Sequence, residues 1–221
     1  LALMRETARI GDEVFLEICH LIKPGLPEKQ VADRIVALLK EKGCEKESFD
    51  TIVVSGENAA LPHGKPGAKG FDSGDMITMD FGGFYHGYAG DMTRTVAVKK
   101  ASQRLKDHYQ AVLEAQELGV SLVKAGQICA DIDEQVRHCL QKYDLDKYFI
   151  HSTGHGVGLE IHEKPTVSSR SQIELQKNMV ITIEPGIYIP GWGGIRIEDT
   201  VIVAENGCEI ITQSEKGLLV I

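Results

Sequence analysis

The segment His151-Ser-Thr-Gly-His155-Gly-Val-Gly-Leu-Glu-Ile-His162-Glu163 places three histidines within twelve positions, with several small residues between them. Small residues let backbone and ligands approach closely. A neutral imidazole is a common metal ligand and a common general acid or base. We therefore expect this segment to form part of a functional site that the rest of the chain helps to build.

Acidic residues occur in strand-like segments on both sides of these histidines. Thr78-Met79-Asp80-Phe81 and Ala89-Gly90-Asp91-Met92 precede them, and Ile183-Glu184-Pro185-Gly186 and Arg196-Ile197-Glu198-Asp199 follow. Aspartate and glutamate are depleted in strands, and a cluster of carboxylates repels itself unless it is neutralised. A pair of divalent ions would remove that repulsion. Oxygen-rich ligation with one imidazole favours Mn²⁺, with Co²⁺ or Zn²⁺ as alternatives.

The alternation of side chains along a strand predicts which face each carboxylate occupies. Asp80 shares a face with Thr78, Asp91 with Thr93, and Glu184 with Thr182. One continuous strand is expected over 195–203, with Arg196, Glu198 and Thr200 on its polar face. The alternative interpretation is four solvated strands of an antiparallel sheet.

The sequence predicts the same order of elements in each half of the chain, namely two helices followed by strands. Apolar residues recur at helical spacing before Lys23-Pro24-Gly25 and again up to Gly43. Leu21-Ile-Lys-Pro-Gly25 resembles Leu122-Val-Lys-Ala-Gly126 at an offset of 101 positions. We interpret this as an internal repeat with pseudo-twofold symmetry, whose halves are roughly 1–100 and 101–221 of one domain. Two unrelated helix pairs are the alternative.

Composition and charge exclude several classes of protein. The 221 residues are 43% hydrophobic and 25% charged, as in ordinary globular domains. The net charge of −8 argues against nucleic acid as the main partner, and no apolar run is long enough for a membrane. Five scattered cysteines without a C-x-x-C motif favour reduced thiols and a cytoplasmic location.

Five motifs in register resemble the pita-bread metallopeptidases, the family of methionine aminopeptidase, aminopeptidase P and proline dipeptidase. The resemblance implies an α+β fold, in which a curved antiparallel sheet forms two related halves with helices outside. It also implies five ligands to two divalent ions, with Asp91 and Glu198 bridging them: Asp80 in M-D-F-G, Asp91 in G-D-M-T-R-T, His155 in G-H-G-V-G, Glu184 in I-E-P-G and Glu198 in R-I-E-D.

Further motifs look like the proline-specific branch of that family. They are Ala60-Leu-Pro-His63-Gly64, the segment Leu159–Pro165 and Gly194-Ile-Arg196-Ile-Glu198-Asp199. The resemblance implies small peptide substrates with proline at the second position. In this branch a separate N-terminal domain precedes the catalytic one and helps to form a homodimer. We find no counterpart of that domain in these residues and expect them to belong to a longer, dimeric protein.

The resemblance also implies roles for individual residues. Glu184 would accept the proton of the attacking water, and His63 and His162 would donate hydrogen bonds to the substrate carbonyl. His151 and Arg196 would frame the substrate pocket, and Thr93 would support Asp91. Three of them have a plainer alternative: His63 could cap a loop, His151 could be a packed residue, and Arg196 could only neutralise carboxylates. Tyr85, Tyr88 and Trp192 are candidates to line the pocket.

Other functions on this fold stay open at this stage. A methionine aminopeptidase-like exopeptidase is one, although those enzymes lack the arginine at the position of Arg196. Metal-free amidine hydrolases such as creatinase and non-catalytic peptide-binding homologues are others. Both of these classes lose the metal carboxylates, whereas all five ligand positions are intact in this chain.

Overall fold

The computed structural model describes residues 1–221 and has four long helices with thirteen strands between and after them. The helices are α1 (Ala2–Leu21), α2 (Glu28–Glu41), α3 (Gln103–Leu122) and α4 (Cys129–Gln141). Two short 3₁₀ helices span Gly56–Ala60 and Asp146–Tyr148. None of the helices is both long and apolar enough to cross a membrane.

All paired strands are antiparallel, and they form four small sheets. The first-half strands are β1 (Lys46–Glu47), β2 (Ile52–Ser55), β3 (Met76–Phe81), β4 (Gly83–Tyr85), β5 (Tyr88–Ala89) and β6 (Met92–Ala97). The second-half strands are β7 (Gly154–Gly156), β8 (Glu163–Val167), β9 (Val180–Ile183), β10 (Gly186–Ile189), β11 (Gly193–Arg196), β12 (Asp199–Ala204) and β13 (Gly207–Ile210). Their orders are β2-β3-β6, β1-β4-β5, β13-β12-β9-β7-β8 and β10-β11. The predicted α+β class is confirmed.

The helices pack on the strands through apolar stripes. Ile10, Val14 and Ile35 of α1 and α2 are buried against Ile77 and Phe81 of β3. A second core joins α3 and α4 to strands β9, β11 and β12 through, among others, Val112, Val136, Ile181, Ile195 and Val201. Both cores follow from helical and alternating spacing of apolar residues, which the sequence already displays.

Two turns of the backbone have the same geometry at positions that the predicted repeat pairs with each other. Gly25 and Gly126 have φ angles of 84° and 82°, a conformation that favours glycine. The N–H of Gly25 donates to the carbonyl of Phe71, and that of Gly126 donates to the carbonyl of Leu175, each at 2.8 Å. These matched turns support our proposal of two related halves that meet near residue 100.

The structure corrects the predicted position of the carboxylates within the strands. The expected strand over 195–203 is interrupted, because β11 ends at Arg196 and β12 begins at Asp199. Glu198 lies in the gap, and its N–H donates to the carbonyl of Thr93 at 3.1 Å. Asp91 lies just before β6 and Glu184 just after β9, so that only Asp80 is inside a strand. Three of the four carboxylates therefore lie where the chain enters or leaves a strand.

The alternative of four solvated strands is wrong. The threonines that share the polar faces, namely Thr78, Thr93, Thr95, Thr182 and Thr200, are all buried. Thr78 and Thr95 form a hydrogen bond of 3.1 Å, and Thr78 also donates to the carbonyl of Gly194. The polar faces therefore form part of the interior, between the strands of the two halves.

Candidate active site

One cavity of about 740 Å³ is lined by all nine residues that the resemblance assigned to metal binding, catalysis or substrate binding. Its volume is in the usual range for small-molecule sites. The nine residues come from both halves of the chain: His63, Asp80, Asp91, His151, His155, His162, Glu184, Arg196 and Glu198. The cavity therefore brings together residues that lie as far apart in sequence as His63 and Glu198.

The orientation of His155 suits a metal ligand. Its Nδ1 lies 2.9 Å from the carbonyl oxygen of Gly156, which can only accept, so Nδ1 carries the proton. The other nitrogen, Nε2, lies 3.3 Å from Glu184 Oε1 and 3.5 Å from Asp91 Oδ2. Burial lowers the pKa of His155, which favours the neutral ring. A lone pair thus faces two carboxylates, and a cation among them would satisfy all three groups.

The carboxylates of the cavity repel one another, and two of their buried oxygens have no hydrogen-bond partner. Burial, followed by repulsion from other carboxylates, raises the pKa of Asp91 and Glu198 well above the usual range. Burial also raises the pKa of Glu184 to about 8. Asp80 Oδ1 and Glu198 Oε1 are buried without any hydrogen-bond partner. These observations fit divalent cations, since a cation would compensate both the repulsion and the unpaired oxygens.

The tightest group of potential ligands consists of Asp91, His155 and Glu198, whose ligand atoms all lie within 4.8 Å of one another. Asp80 and Glu184 line the same cavity outside this group. Glu198 is held by the hydroxyl of Thr93, which donates to its Oε2 at 2.7 Å. The predicted support of Asp91 by Thr93 is therefore wrong, because the interruption between β11 and β12 places Glu198 against Thr93.

Arg196 is almost fully buried, with 3% of its surface exposed, and its guanidinium is occupied by protein groups. Nη2 donates to Asp80 Oδ2 at 2.5 Å, Nη1 to the Tyr188 hydroxyl at 2.6 Å and Nε to Thr93 Oγ1 at 3.1 Å. Nη1 also lies 3.3 Å from the carbonyl oxygen of Pro62. The simpler alternative for Arg196, neutralising a carboxylate, has direct support in the ion pair with Asp80.

Sequence reasoning missed Tyr188, which connects Arg196 to His151. The Tyr188 hydroxyl accepts from Arg196 and donates to His151 Nε2 at 2.8 Å, while His151 Nδ1 donates to the carbonyl of Ser152 at 2.8 Å. Burial lowers the pKa of His151 to about 4, so the ring is neutral and can accept this bond. The one feature of the sequence that could have indicated this role is the position of Tyr188 in an otherwise apolar strand, Gly186-Ile-Tyr-Ile189.

His63 and His162 are exposed at the cavity, and neither ring makes a hydrogen bond within the protein. The His162 ring stands edge-on to His155, with 4.5 Å between the ring centres. Tyr85, Tyr88 and Trp192 do not line the cavity, contrary to prediction. Trp192 packs instead against Arg104 and His108 on the outside of α3.

Comparison with known proteins places this arrangement in a family. Residues 2–205 match metallopeptidase family M24. The chain belongs to this family. An Xaa-Pro dipeptidase of Pyrococcus furiosus is 42% identical over 217 residues, which cover 98% of this chain and 62% of that protein.

Solved structures of M24 relatives superimpose closely on the chain. An Xaa-Pro dipeptidase from Bacillus anthracis gives a TM-score of 0.98 at 45% identity, over 100% of this chain and 62% of the other. An X-Pro aminopeptidase from Thermotoga maritima gives 0.97 at 40% identity, again over 100% and 62%. The predicted pita-bread fold is confirmed, and the chain spans about 62% of the length of these relatives.

The metal-free M24 chain is expected to lose stability as the pH rises from about 6.5 to about 8. The raised pKa values of Glu184, Asp91 and Glu198 mean that the folded chain keeps protons which the unfolded chain has released. Stability from a raised pKa is complete at low pH and is lost as the pH passes that pKa. The buried histidines oppose this only slightly: the lowered pKa values of His151 and His155 keep both rings neutral in the folded chain, and the unfolded rings release their remaining protons just above their ordinary pKa of about 6.5.

The expected effect of Glu184 alone is roughly 2 kcal/mol across this window, or a fall in Tm of roughly 4 °C or more. The raised pKa values of Asp91 and Glu198 act in the same direction. Thermal unfolding with a chelator, repeated with Mn²⁺, measures it. The Mn²⁺-loaded chain should depend less on pH, since the cation takes the place of the protons. A Tm of the metal-free chain that stays level or rises between these pH values would contradict the prediction.

Proposed function

We propose that this chain hydrolyses Xaa-Pro peptide bonds and that two divalent ions assist it, held by Asp80, Asp91, His155, Glu184 and Glu198. The observation that carries the proposal is that the unprotonated Nε2 of His155 faces Glu184 and Asp91 in a cavity where Asp80 Oδ1 and Glu198 Oε1 have no hydrogen-bond partner. The oxygen-rich ligand set favours Mn²⁺, with Co²⁺ or Zn²⁺ as alternatives. When bound, the ions would polarise the scissile carbonyl and lower the pKa of the attacking water.

The protein side chains would move the proton and orient the substrate. Glu184 would accept a proton from the attacking water and pass it to the leaving amine. His162 and His63 line the cavity and would donate hydrogen bonds to the substrate carbonyl as negative charge develops on it. Both rings are free for this because no protein group occupies them.

Arg196, Tyr188 and His151, which are joined by hydrogen bonds, would shape the wall of the pocket rather than take part in the reaction. The hydrogen bonds run from the Arg196 guanidinium through the Tyr188 hydroxyl to the neutral imidazole of His151 and on to the carbonyl of Ser152. A proline at the second position forms a tertiary amide with no N–H to donate. The site must therefore accept the ring by shape and hold the carbonyl through other donors.

The names of the relatives support the choice of substrate, since the similar proteins from Pyrococcus furiosus and Bacillus anthracis are Xaa-Pro dipeptidases. The five cysteines are all free, which supports a cytoplasmic location as part of this proposal. A homodimer of the longer protein stays a prediction.

The proposal predicts that Ala-Pro is cleaved faster than Met-Ala-Ser at equal Mn²⁺ loading. The reason is that the branch motifs around His63, His162 and Arg196 match proline-specific enzymes, whereas methionine aminopeptidases lack the arginine. Initial rates on both peptides, measured with one preparation, test it. Equal rates would favour the methionine aminopeptidase-like alternative, and absence of hydrolysis with every metal would favour a non-catalytic role.

A further inference from the structure

The loop that carries His63 has no regular structure of its own beyond the 3₁₀ helix Gly56–Ala60. It leaves β2 at Ser55 and runs past Pro62 and His63 to Gly67. The His63 ring is exposed and makes no hydrogen bond within the protein. Its place at the cavity therefore depends on how the backbone of this loop is held.

Glu28, at the start of α2, contacts both ends of that loop. Its side chain is fully buried, with 0% exposed. Oε1 accepts from the N–H and the hydroxyl of Ser55, each at 2.8 Å. Oε2 accepts from the N–H of Gly67 at 3.1 Å, and the amide of Asn58 donates to both oxygens at 3.2 and 3.3 Å. One carboxylate thus ties the two ends of the loop to the same helix.

The surrounding contacts extend this attachment. Lys69 donates to the hydroxyl of Ser55 at 2.9 Å and pairs with Asp75 at 2.5 Å. Near its middle the loop is held at Pro62, whose carbonyl accepts from Arg196. A buried carboxylate is stable only with a full set of donors. Here the donors are the backbone and side chains of the loop itself.

We propose that Glu28 is a positioning residue that holds both ends of the loop 55–67 and thereby sets the place of His63 at the cavity. The proposal rests on the proposed function, because it gives His63 a task in catalysis. Glu28 acts only through the loop, since it touches neither the cavity nor any of the predicted ligands.

The second half of the chain offers a matched control in Asp133 of α4. This carboxylate is also 0% exposed. It accepts from the N–H and hydroxyl of Thr153 at 3.1 and 2.8 Å and pairs with Arg137. Asp133 therefore holds the chain next to His151 and His155 but has no contact with the loop of His63.

Amide hydrogen exchange on Glu28→Gln, Glu28→Ala and Asp133→Asn tests the proposal without relying on activity. Loss of hydrogen bonds to a charged group should speed exchange in the segment 55–67 by about tenfold or more in both Glu28 variants. Glutamine can still accept from Ser55 but offers an N–H₂ to Gly67, so Glu28→Gln should release mainly the Gly67 end. Asp133→Asn should change exchange near Thr153 and leave the segment 55–67 as in the unmutated chain.

Kinetics on Ala-Pro separate positioning from general destabilisation. Glu28→Gln should keep the metal content and KM of the unmutated chain and lower kcat about tenfold. In a His63→Ala background Glu28→Gln should cause no further loss of kcat, whereas the effect of Asp133→Asn should add to that of His63→Ala. Ser55→Ala removes one donor only and should show a smaller change of the same kind if a Glu28 variant does not fold.

Unchanged exchange over 55–67 in the Glu28 variants, or full additivity with His63→Ala, would overturn the proposal. Failure of the unmutated chain to cleave Ala-Pro would overturn the proposed function instead. In that event exchange alone decides whether Glu28 holds the loop: faster exchange supports it and unchanged exchange refutes it.

Discussion

Replacing Asp91 with asparagine is expected to remove bound divalent metal and to lower kcat/KM on Ala-Pro by more than about 100-fold. Mutating a residue that only hydrogen-bonds to a metal ligand already costs about 10–100-fold in metal affinity or activity, and a ligand should cost more. Asp91 Oδ2 faces His155 Nε2 at 3.5 Å, within the tightest group of potential ligands. An asparagine has nearly the same shape but carries no charge to compensate a cation. The change therefore tests ligation rather than packing.

Elemental analysis of the reloaded protein measures the effect directly. If Asp91 bridges two ions, Asp91→Asn should lose both, and Asp80→Asn should mainly weaken one. Asp50→Asn is the matched control, because Asp50 lines the rim of the same cavity with a side chain 91% exposed. The control should bind metal like the unmutated chain. Full metal content in Asp91→Asn would refute the bridging role.

Replacing His162 or His63 with alanine is expected to leave metal content unchanged and to lower kcat on Ala-Pro by about 10²–10³, the usual cost of losing one donor to a developing oxyanion. Both rings line the cavity with their nitrogens unoccupied by protein groups. The His162 ring is also packed edge-on against His155, which makes the metal measurement essential.

The comparison needs metal content and steady-state kinetics on the same samples. His138→Ala is a suitable control, because His138 is an exposed histidine of α4 outside the cavity. It should match the unmutated chain in both measurements. Metal loss in His162→Ala would mean that the ring supports His155 instead of the substrate. An unchanged kcat in both variants would remove the two histidines from the proposed mechanism.

Much of the fold could be predicted because its signals are local. The apolar spacing of α1 through α4 and the glycines at Gly25 and Gly126 depend on backbone geometry over a few residues. The motif residues could be named for a similar reason, since each sits in a short, distinctive stretch. The sequence could not reveal that Glu198 lies between β11 and β12, because a strand over 195–203 satisfies the same alternation.

What the sequence determined by itself is the set of long helices, several strands, the fold class and nine residues that line one cavity. Only the tertiary structure decided how these residues are held: Thr93 on Glu198, Tyr188 between Arg196 and His151, and Glu28 on the loop of His63. Thr93 and Glu198 are 105 positions apart. Such a bond depends on how the two halves pack, which no local pattern of spacing or turn chemistry encodes.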